Sequence, residues 1–216
     1  MKLLRLFWLA AVAGILVIYA LAVPRWFDDL HVAATQAADP ATYKLTVAEI
    51  AALERRGISL DVYAGAVVAV ESVAVVLAVI VAGVIFWRRN DDWLALAVGL
   101  WLILSPTNAP VPPGAVLVDV HRAWFVPVYA YYALFMIAQM LAFTLFPTRR
   151  FHSRWLGRLA LGWTPVALLV LHPRLTWVES PPAFGAAIGS CYAIAITGTV
   201  QQYRHTATVE QHHQVK

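Results

Sequence analysis

Residues 62–87 read VYAGAVVAVESVAVVLAVIVAGVIFW, an apolar run with a single charged side chain, Glu71. As an α-helix this run would be about 39 Å long at about 1.5 Å per residue, whereas the hydrocarbon core of a bilayer is about 30 Å thick. The stretch therefore predicts a helix that crosses a membrane.

The rest of the chain has the same character. Of its 216 residues, 61% are hydrophobic and 13% are charged, whereas an average soluble domain has roughly 45–50% apolar and roughly 25% charged residues. So few charges cannot solvate the surface of a soluble core of this size, which excludes an ordinary soluble protein and a disordered chain. The chain has one cysteine, Cys191, so an intramolecular disulfide is excluded as well.

Six apolar segments along the chain predict the fold class. They cover residues 6–23, 62–87, 93–105, 123–146, 156–171 and 183–199. The third and fifth are short for a ~30 Å core, so we expect them to borrow flanking residues or to be lined by protein or thinned lipid. The prediction is an all-α, polytopic membrane protein of six transmembrane helices with a short extracytoplasmic helix.

The distribution of basic residues predicts the orientation. If the N-terminus is inside, alternation through six spans also places the C-terminus inside, and ten of the sixteen Lys and Arg residues then fall on the inner side. Short cytoplasmic loops carry this excess in membrane proteins. The inner residues are Lys2, Arg5, Arg88, Arg89, Arg149, Arg150, Arg154, Arg158, Arg204 and Lys216. We therefore expect a multi-pass protein of the cell's inner (plasma) membrane with both termini cytoplasmic.

The spans divide the chain into four parts. Residues 1–23 form a first transmembrane helix that acts as a signal anchor, with a cleaved signal peptide as the alternative. Residues 24–61 form an extracytoplasmic segment, residues 62–203 a five-helix transmembrane region and residues 204–216 a cytoplasmic tail. Within the outer segment, Thr46 and Glu49 form a capping-box pattern and Gly57 suits a helix end, which predicts a short helix. It would serve as a ligand-contacting lid or as a plain connector.

Nine of the twelve prolines fall in the outer connections, which predicts that these are stiff and extended. They are Pro24, Pro40, Pro106, Pro110, Pro112, Pro113, Pro173, Pro181 and Pro182.

Glu71 is the residue most open to a functional interpretation. A carboxylate inside a span is expensive, faces the interior of the bundle and is by default a functional hypothesis. Tyr131 and Tyr132 in the fourth span and Ser190 and Tyr192 in the sixth have comparable estimated depths. Together they predict a polar ligand or signal layer about halfway through the bundle. The alternative is that Glu71 is a protonated, hydrogen-bonded packing residue.

Other kinds of site lack the residues that they need. The seven histidines are scattered over separate loops, so no metal site is expected. Ser190 has no histidine base at its depth, so no catalytic residues are predicted. Phosphate-binding and dinucleotide-binding motifs are absent, and no cofactor is expected. The basic loop residues lie beside spans, where the lipid bilayer is a better partner than nucleic acid.

Four stretches resemble a known family. They are residues 57–64 (GISLDVYA), 85–93 (IFWRRNDDW), 145–151 (LFPTRRF) and 201–216. They resemble the multi-pass N-terminal sensor region of bacterial sensor histidine kinases of the Chloroflexi type, similar in layout to the receptor kinase for a competence pheromone. The family often has glycine where Arg149 stands. The resemblance covers nearly all of the chain from about residue 45.

The resemblance implies a membrane-embedded signal sensor that forms a homodimer and passes its signal to a cytoplasmic kinase core. The 216 residues contain neither a phosphoacceptor helix nor an ATP-binding domain, so we expect no kinase activity in this chain itself. It would then be either a fragment or a free-standing sensor. The alternative is a small transporter or channel subunit that uses Glu71 as a proton or cation site. A third alternative is an intramembrane enzyme, but the chain offers no second catalytic group beside Ser190.

Overall fold

The structure is a computed structural model that describes residues 2–34, 43–107 and 113–145 and isolated positions between 158 and 200. These residues are all-helical and contain no strand. The helices are α1 (Lys2–Asp29), α2 (Val47–Arg55), α3 (Leu60–Arg89), α4 (Trp93–Thr107), α5 (Pro113–Val120) and α6 (Phe125–Leu145). A single 3-10 turn, Arg122–Trp124, precedes α6.

Three stretches are long and apolar enough to span a membrane, namely Lys2–Asp29, Leu60–Arg89 and Arg122–Phe143. They coincide with the first, second and fourth predicted spans. Trp93–Thr107, the third, is apolar but shorter. The fifth and sixth predicted spans lie outside the described residues except for isolated positions, which are helical.

The first helix does not end at Val23, where we expected it to. It continues through Pro24 to Asp29. Proline removes one backbone hydrogen bond, here the one to the Ala20 carbonyl, and transmembrane helices tolerate that loss. Packing favours the continuation, because Trp26 and the following Leu30 are only 2% and 1% exposed.

The expectation that the outer prolines mark extended connections is also wrong at two further positions. Pro106 lies inside α4, and Pro113 is the first residue of α5. Proline suits the first turn of a helix because the backbone N–H it lacks would have no partner there. The helix α5 itself was not predicted.

Helices α1 and α3 run antiparallel, and α4 packs against both. At the N-terminal end of α1, Trp8 Nε1 donates to the Leu96 carbonyl at 2.9 Å, and the Trp8 ring stacks on Phe86 with centroids 4.7 Å apart. A Cβ at Gly99 would lie 3.7 Å from Ala82 Cβ. These small residues let α3 and α4 approach closely, as in other membrane helices.

The shortness of α4 is explained by its surroundings. Nearly half of its side chains are buried, whereas α3, twice as long, buries only Ala64, Val75 and Ala82. Its one buried hydroxyl, on Thr107, donates to the carbonyls of Ile103 and Leu104, both at 3.0 Å. Protein therefore lines much of α4, which is one of the alternatives expected for the short third segment.

At the opposite end of these helices, α5 packs on α1. A Cβ at Gly114 would lie 3.3 Å from Val128 and 3.6 Å from Ile18, so glycine permits this close approach. Val116 packs on Trp26, Leu30 and Ala64. We call this end of the helices the Trp26 end.

The short helix α2 is present where the capping box predicts it. Thr46 accepts from the Glu49 amide, and the Glu49 side chain accepts from the Thr46 amide. At its other end, Gly57 has φ +76°, its N–H donates to Glu54, and the Ile58 N–H donates to Leu53. These two bonds form a Schellman motif, which satisfies the last carbonyls of the helix.

The chain divides into two compact units, Met1–Tyr132 and Ala133–Lys216, with the boundary inside α6. All the contacts described above lie in the first unit.

We expect Gly57→Ala to destabilise the end of α2 by about 1 kcal/mol, because a residue with a Cβ is strained in the left-handed region. Hydrogen exchange of the α2 amides in detergent micelles would show this as faster exchange. Gly65→Ala is the matched control, since both positions have open space around the added Cβ but only Gly57 has a positive φ. Equal effects of the two substitutions would contradict this account of Gly57.

Candidate functional site

An apolar cluster at the Trp26 end fixes the candidate site. Its buried centre is formed by Trp26, Leu30 and Ala64. Five partly buried side chains pack around this centre: Phe27, Tyr43, Val67, Val68 and Val116. Leu30 directly follows α1, whereas Tyr43 comes from the connection before α2, so that connection packs against the helices.

The Tyr43 side chain reaches the predicted intramembrane carboxylate. Its hydroxyl donates to Glu71 Oε1 at 3.0 Å. Glu71 lies eleven residues after Leu60, the first residue of α3, which is roughly 16 Å along the helix axis. Among the described residues, Glu71 is thus hydrogen-bonded to Tyr43, which lies outside the helices.

The backbone of Tyr43 is held in an uncommon conformation. Its φ is +57°, the only positive value among the described non-glycine residues, and its carbonyl accepts a hydrogen bond from the Tyr63 hydroxyl at 2.9 Å. Burial, followed by the hydrogen bond and charge of Glu71, raises the pKa of Tyr43 above its ordinary value. Tyr43 therefore stays protonated and remains a donor to Glu71.

Polar contacts on both sides of Tyr43 fix residues 43–46, which we call the docked segment. Lys44 Nζ contacts Asp29 Oδ1 at 2.6 Å. The Ala34 N–H donates to the Leu45 carbonyl at 2.9 Å, and Ala34 and Thr46 form an isolated parallel bridge. The docked segment is thus tied to the end of α1 as well as to α3.

A further polar pair follows Glu71 directly. The hydroxyls of Tyr19 on α1 and Ser72 on α3 lie 3.1 Å apart. With Tyr43 and Glu71 they form a small polar layer between α1, α3 and the docked segment. A polar layer around Glu71 was predicted, and Tyr19, Ser72 and Tyr43 were not among its predicted members.

Tyr131 and Tyr132, which we expected at the depth of Glu71, lie on α6, the fourth predicted span, and Tyr131 is close enough to Tyr19 to interact with it electrostatically. Their rings form an edge-to-face pair with centroids 6.3 Å apart, and Tyr131 is buried next to Thr107.

Ser190 and Tyr192, the other two predicted members, belong to the second unit. Both positions are helical. Tyr192 is 45% exposed, and its ring lies against Phe143 with centroids 6.3 Å apart. Ser190 is half-buried. The described residues named above around Glu71, namely Tyr19, Tyr43 and Ser72, belong to the first unit.

The described part of the chain contains no group of three or more His, Cys, Asp or Glu side chains arranged to hold a metal ion. The carboxylate at position 71 is instead satisfied by a phenol. The arrangement can therefore respond to a change in hydrogen bonding or charge, because either change alters what Glu71 contacts.

Tyr43 was missed because it stands alone in a polar stretch without periodicity. A weak signal exists in the sequence, since an isolated aromatic residue in a connection needs an apolar surface to bury its ring. The chain gives no indication of which surface that is.

A comparison of the chain with protein families, characterised proteins and solved structures finds no match.

We expect Tyr43→Phe to loosen the docked segment. Removing one partner of a hydrogen bond in a partly buried site costs about 1–3 kcal/mol, so protection of the Ala34 amide, which bonds to Leu45, should fall roughly 10- to 100-fold. Hydrogen exchange measured by NMR in micelles tests this. Glu71→Gln keeps an acceptor and should lose less protection.

Tyr192→Phe is the matched control for Tyr43→Phe, because it removes a hydroxyl in the second unit. Unchanged Ala34 protection in Tyr43→Phe would contradict the docking role of the Tyr43 hydroxyl.

Proposed function

We propose that this chain is the membrane-embedded signal-sensing region of a bacterial two-component sensor. The observation that carries the proposal is the hydrogen bond from Tyr43 to Glu71. It joins a segment outside the helices to a carboxylate well inside a helix that is long enough to cross the membrane. A signal that displaces the segment thereby acts directly on the helix.

The mechanism follows from the cost of an unpaired carboxylate. When Tyr43 leaves, Glu71 must find water or another donor, and a shift of α3 is the simplest response. Helix α3 is continuous for 30 residues, so a displacement at Glu71 reaches its far end. There Phe86 stacks on Trp8, and Arg5 Nε donates to the Asn90 carbonyl at 2.9 Å. The signal would bias two packings of α1 against α3.

The proposed topology has six spans, cytoplasmic termini and residues 24–61 outside. Two contacts support the alternation of the first two spans. His31 meets Asp61 at the Trp26 end, whereas Arg5 meets Asn90 at the other. The excess of Lys and Arg on the proposed inner side supports the same orientation. The helix α2 would then lie on the outer surface.

The cytoplasmic partner in this proposal is a histidine kinase core, and the sensor acts as a homodimer. Both points rest on the resemblance of the loop sequences. The chain would supply signal detection and no phosphoryl transfer, and residues 204–216 would join it to the kinase.

A transporter or channel subunit is the second candidate. The observation that favours it is the partial exposure of Glu71, which is half-buried and not sealed in the core. If a proton or a small cation displaced the Tyr43 hydroxyl from the Glu71 carboxylate, Glu71 would act as a transport site.

The topology predicts opposite labelling of two cysteine variants in a Cys191→Ser background. Val47→Cys lies on an exposed position of α2, and Asp91→Cys lies in the exposed turn after α3. In intact cells a membrane-impermeant maleimide should label Val47→Cys and spare Asp91→Cys. Lysed cells, where both should react, provide the control, and the reverse pattern would refute the orientation.

Two measurements separate the sensor from the transporter. The sensor proposal predicts that the reading frame downstream of Lys216 continues into further spans, a phosphoacceptor helix and an ATP-binding domain. It also predicts that proteoliposomes containing the purified full chain carry no proton or alkali-cation flux above that of empty vesicles. A stop codon together with a flux that Glu71→Gln abolishes would overturn the sensor proposal in favour of transport.

A further inference from the structure

His31 is placed with both ring nitrogens against oxygen atoms. Its Nδ1 lies 2.8 Å from the Phe27 carbonyl, and its Nε2 lies 2.9 Å from Asp61 Oδ1. A carbonyl and a carboxylate are acceptors, while a neutral imidazole has only one N–H to donate. Both contacts are therefore hydrogen bonds only when the ring carries two protons.

We propose that His31 is a proton-operated latch between the end of α1 and the start of α3, closed by the imidazolium and released when the ring loses its second proton. The latch does not depend on the sensor proposal, because it needs only the two contacts of His31.

The helix termini reinforce the closed form. His31 lies just beyond the last turn of α1, where a cation interacts favourably with the helix dipole. Asp61 lies in the first turn of α3, where an anion does. The His31 ring also lies against Phe27, with centroids 4.8 Å apart. Protonation thus pairs a cation at the C-terminal end of α1 with an anion at the N-terminal end of α3, and each helix dipole favours the charge at its end.

The surrounding charges also favour the protonated ring. The acids whose charges act on His31 are Asp61 on α3 and Asp28 on α1. Asp29 contacts Lys44 of the docked segment, and the only acid on α5 is Asp119. The Phe27 carbonyl, and after it the Asp61 hydrogen bond, raise the pKa of His31 above its ordinary value.

This direction sets the pH window. Because the folded-state pKa is raised, the stabilisation is complete below the ordinary histidine pKa of about 6.5. It is lost as the pH rises through the higher folded-state value. The latch is closed in mildly acidic surroundings and open in alkaline ones.

The latch also controls the docked segment. Ala34, whose N–H donates to Leu45, follows His31 by three residues. Fixing His31 therefore positions the strand-like contact that holds Tyr43 beside Glu71. Release of His31 would therefore loosen the chain at Ala34 and weaken its contact with the docked segment.

Spin labels at Val32 and Val62, two exposed positions on either side of the latch, test the proposal in the full chain. The measurement uses cysteines in a Cys191→Ser background and compares the inter-label distance at about pH 5.5 and about pH 9. We expect a narrow distribution at the lower pH and a broader, longer one at the higher pH. Protection of the Ala34 amide should fall over the same range.

Asp61→Asn changes an exposed side chain, so it should fold, and its distance distribution should lose most of the pH dependence. His31→Gln should give the high-pH distribution at both pH values. His121→Gln is the matched control and should behave like the wild type. A wild-type distance that does not change with pH, or a change that Asp61→Asn retains in full, would overturn the latch.

Discussion

A carboxylate within an apolar helix needs a hydrogen-bond donor, and in this chain the donor comes from outside the helices. The Tyr43 hydroxyl meets Glu71 because the segment before α2 enters the space between α1 and α3. In the same segment the backbone of Tyr43 has a positive φ, and Lys44 contacts Asp29. The connection before α2 is thereby joined to a half-buried acid of α3 at the Trp26 end.

The long helices could be predicted from sequence because hydrophobic length is a property of each segment alone. The start of α3 differs by two residues from the expected span, and the capping residues of α2 were identified from their spacing. The end of α1 could not be predicted, because proline lacks a backbone N–H and by itself favours the end of a helix. The packing of Trp26 against Ala64, residues far apart in sequence, offsets that tendency.

The candidate site was predictable only in its central residue. Glu71 is marked by the cost of its charge in an apolar run, whereas the partners of that charge depend on tertiary structure. Depth counted along each helix selected Tyr131 and Tyr132 on α6, and of these Tyr131 interacts electrostatically with Tyr19 of the polar layer. Such counting gives the depth of a residue along its helix, but it does not show which neighbouring helix the side chain faces. The partners found, Tyr43 and the neighbouring pair Tyr19 and Ser72, come from a connection and from the first helix.

Pro24 divides α1 into two parts with different tasks. The part before it holds Trp8 and the contacts with α4, while the short part after it bears Trp26, Asp29 and, just beyond the helix, His31. The missing backbone bond at the Ala20 carbonyl lowers the bending stiffness between them. The last turn and a half of α1 can therefore bend at Pro24 when the contacts of Asp29 and His31 change. The part of the helix before Pro24 keeps its packing against α4.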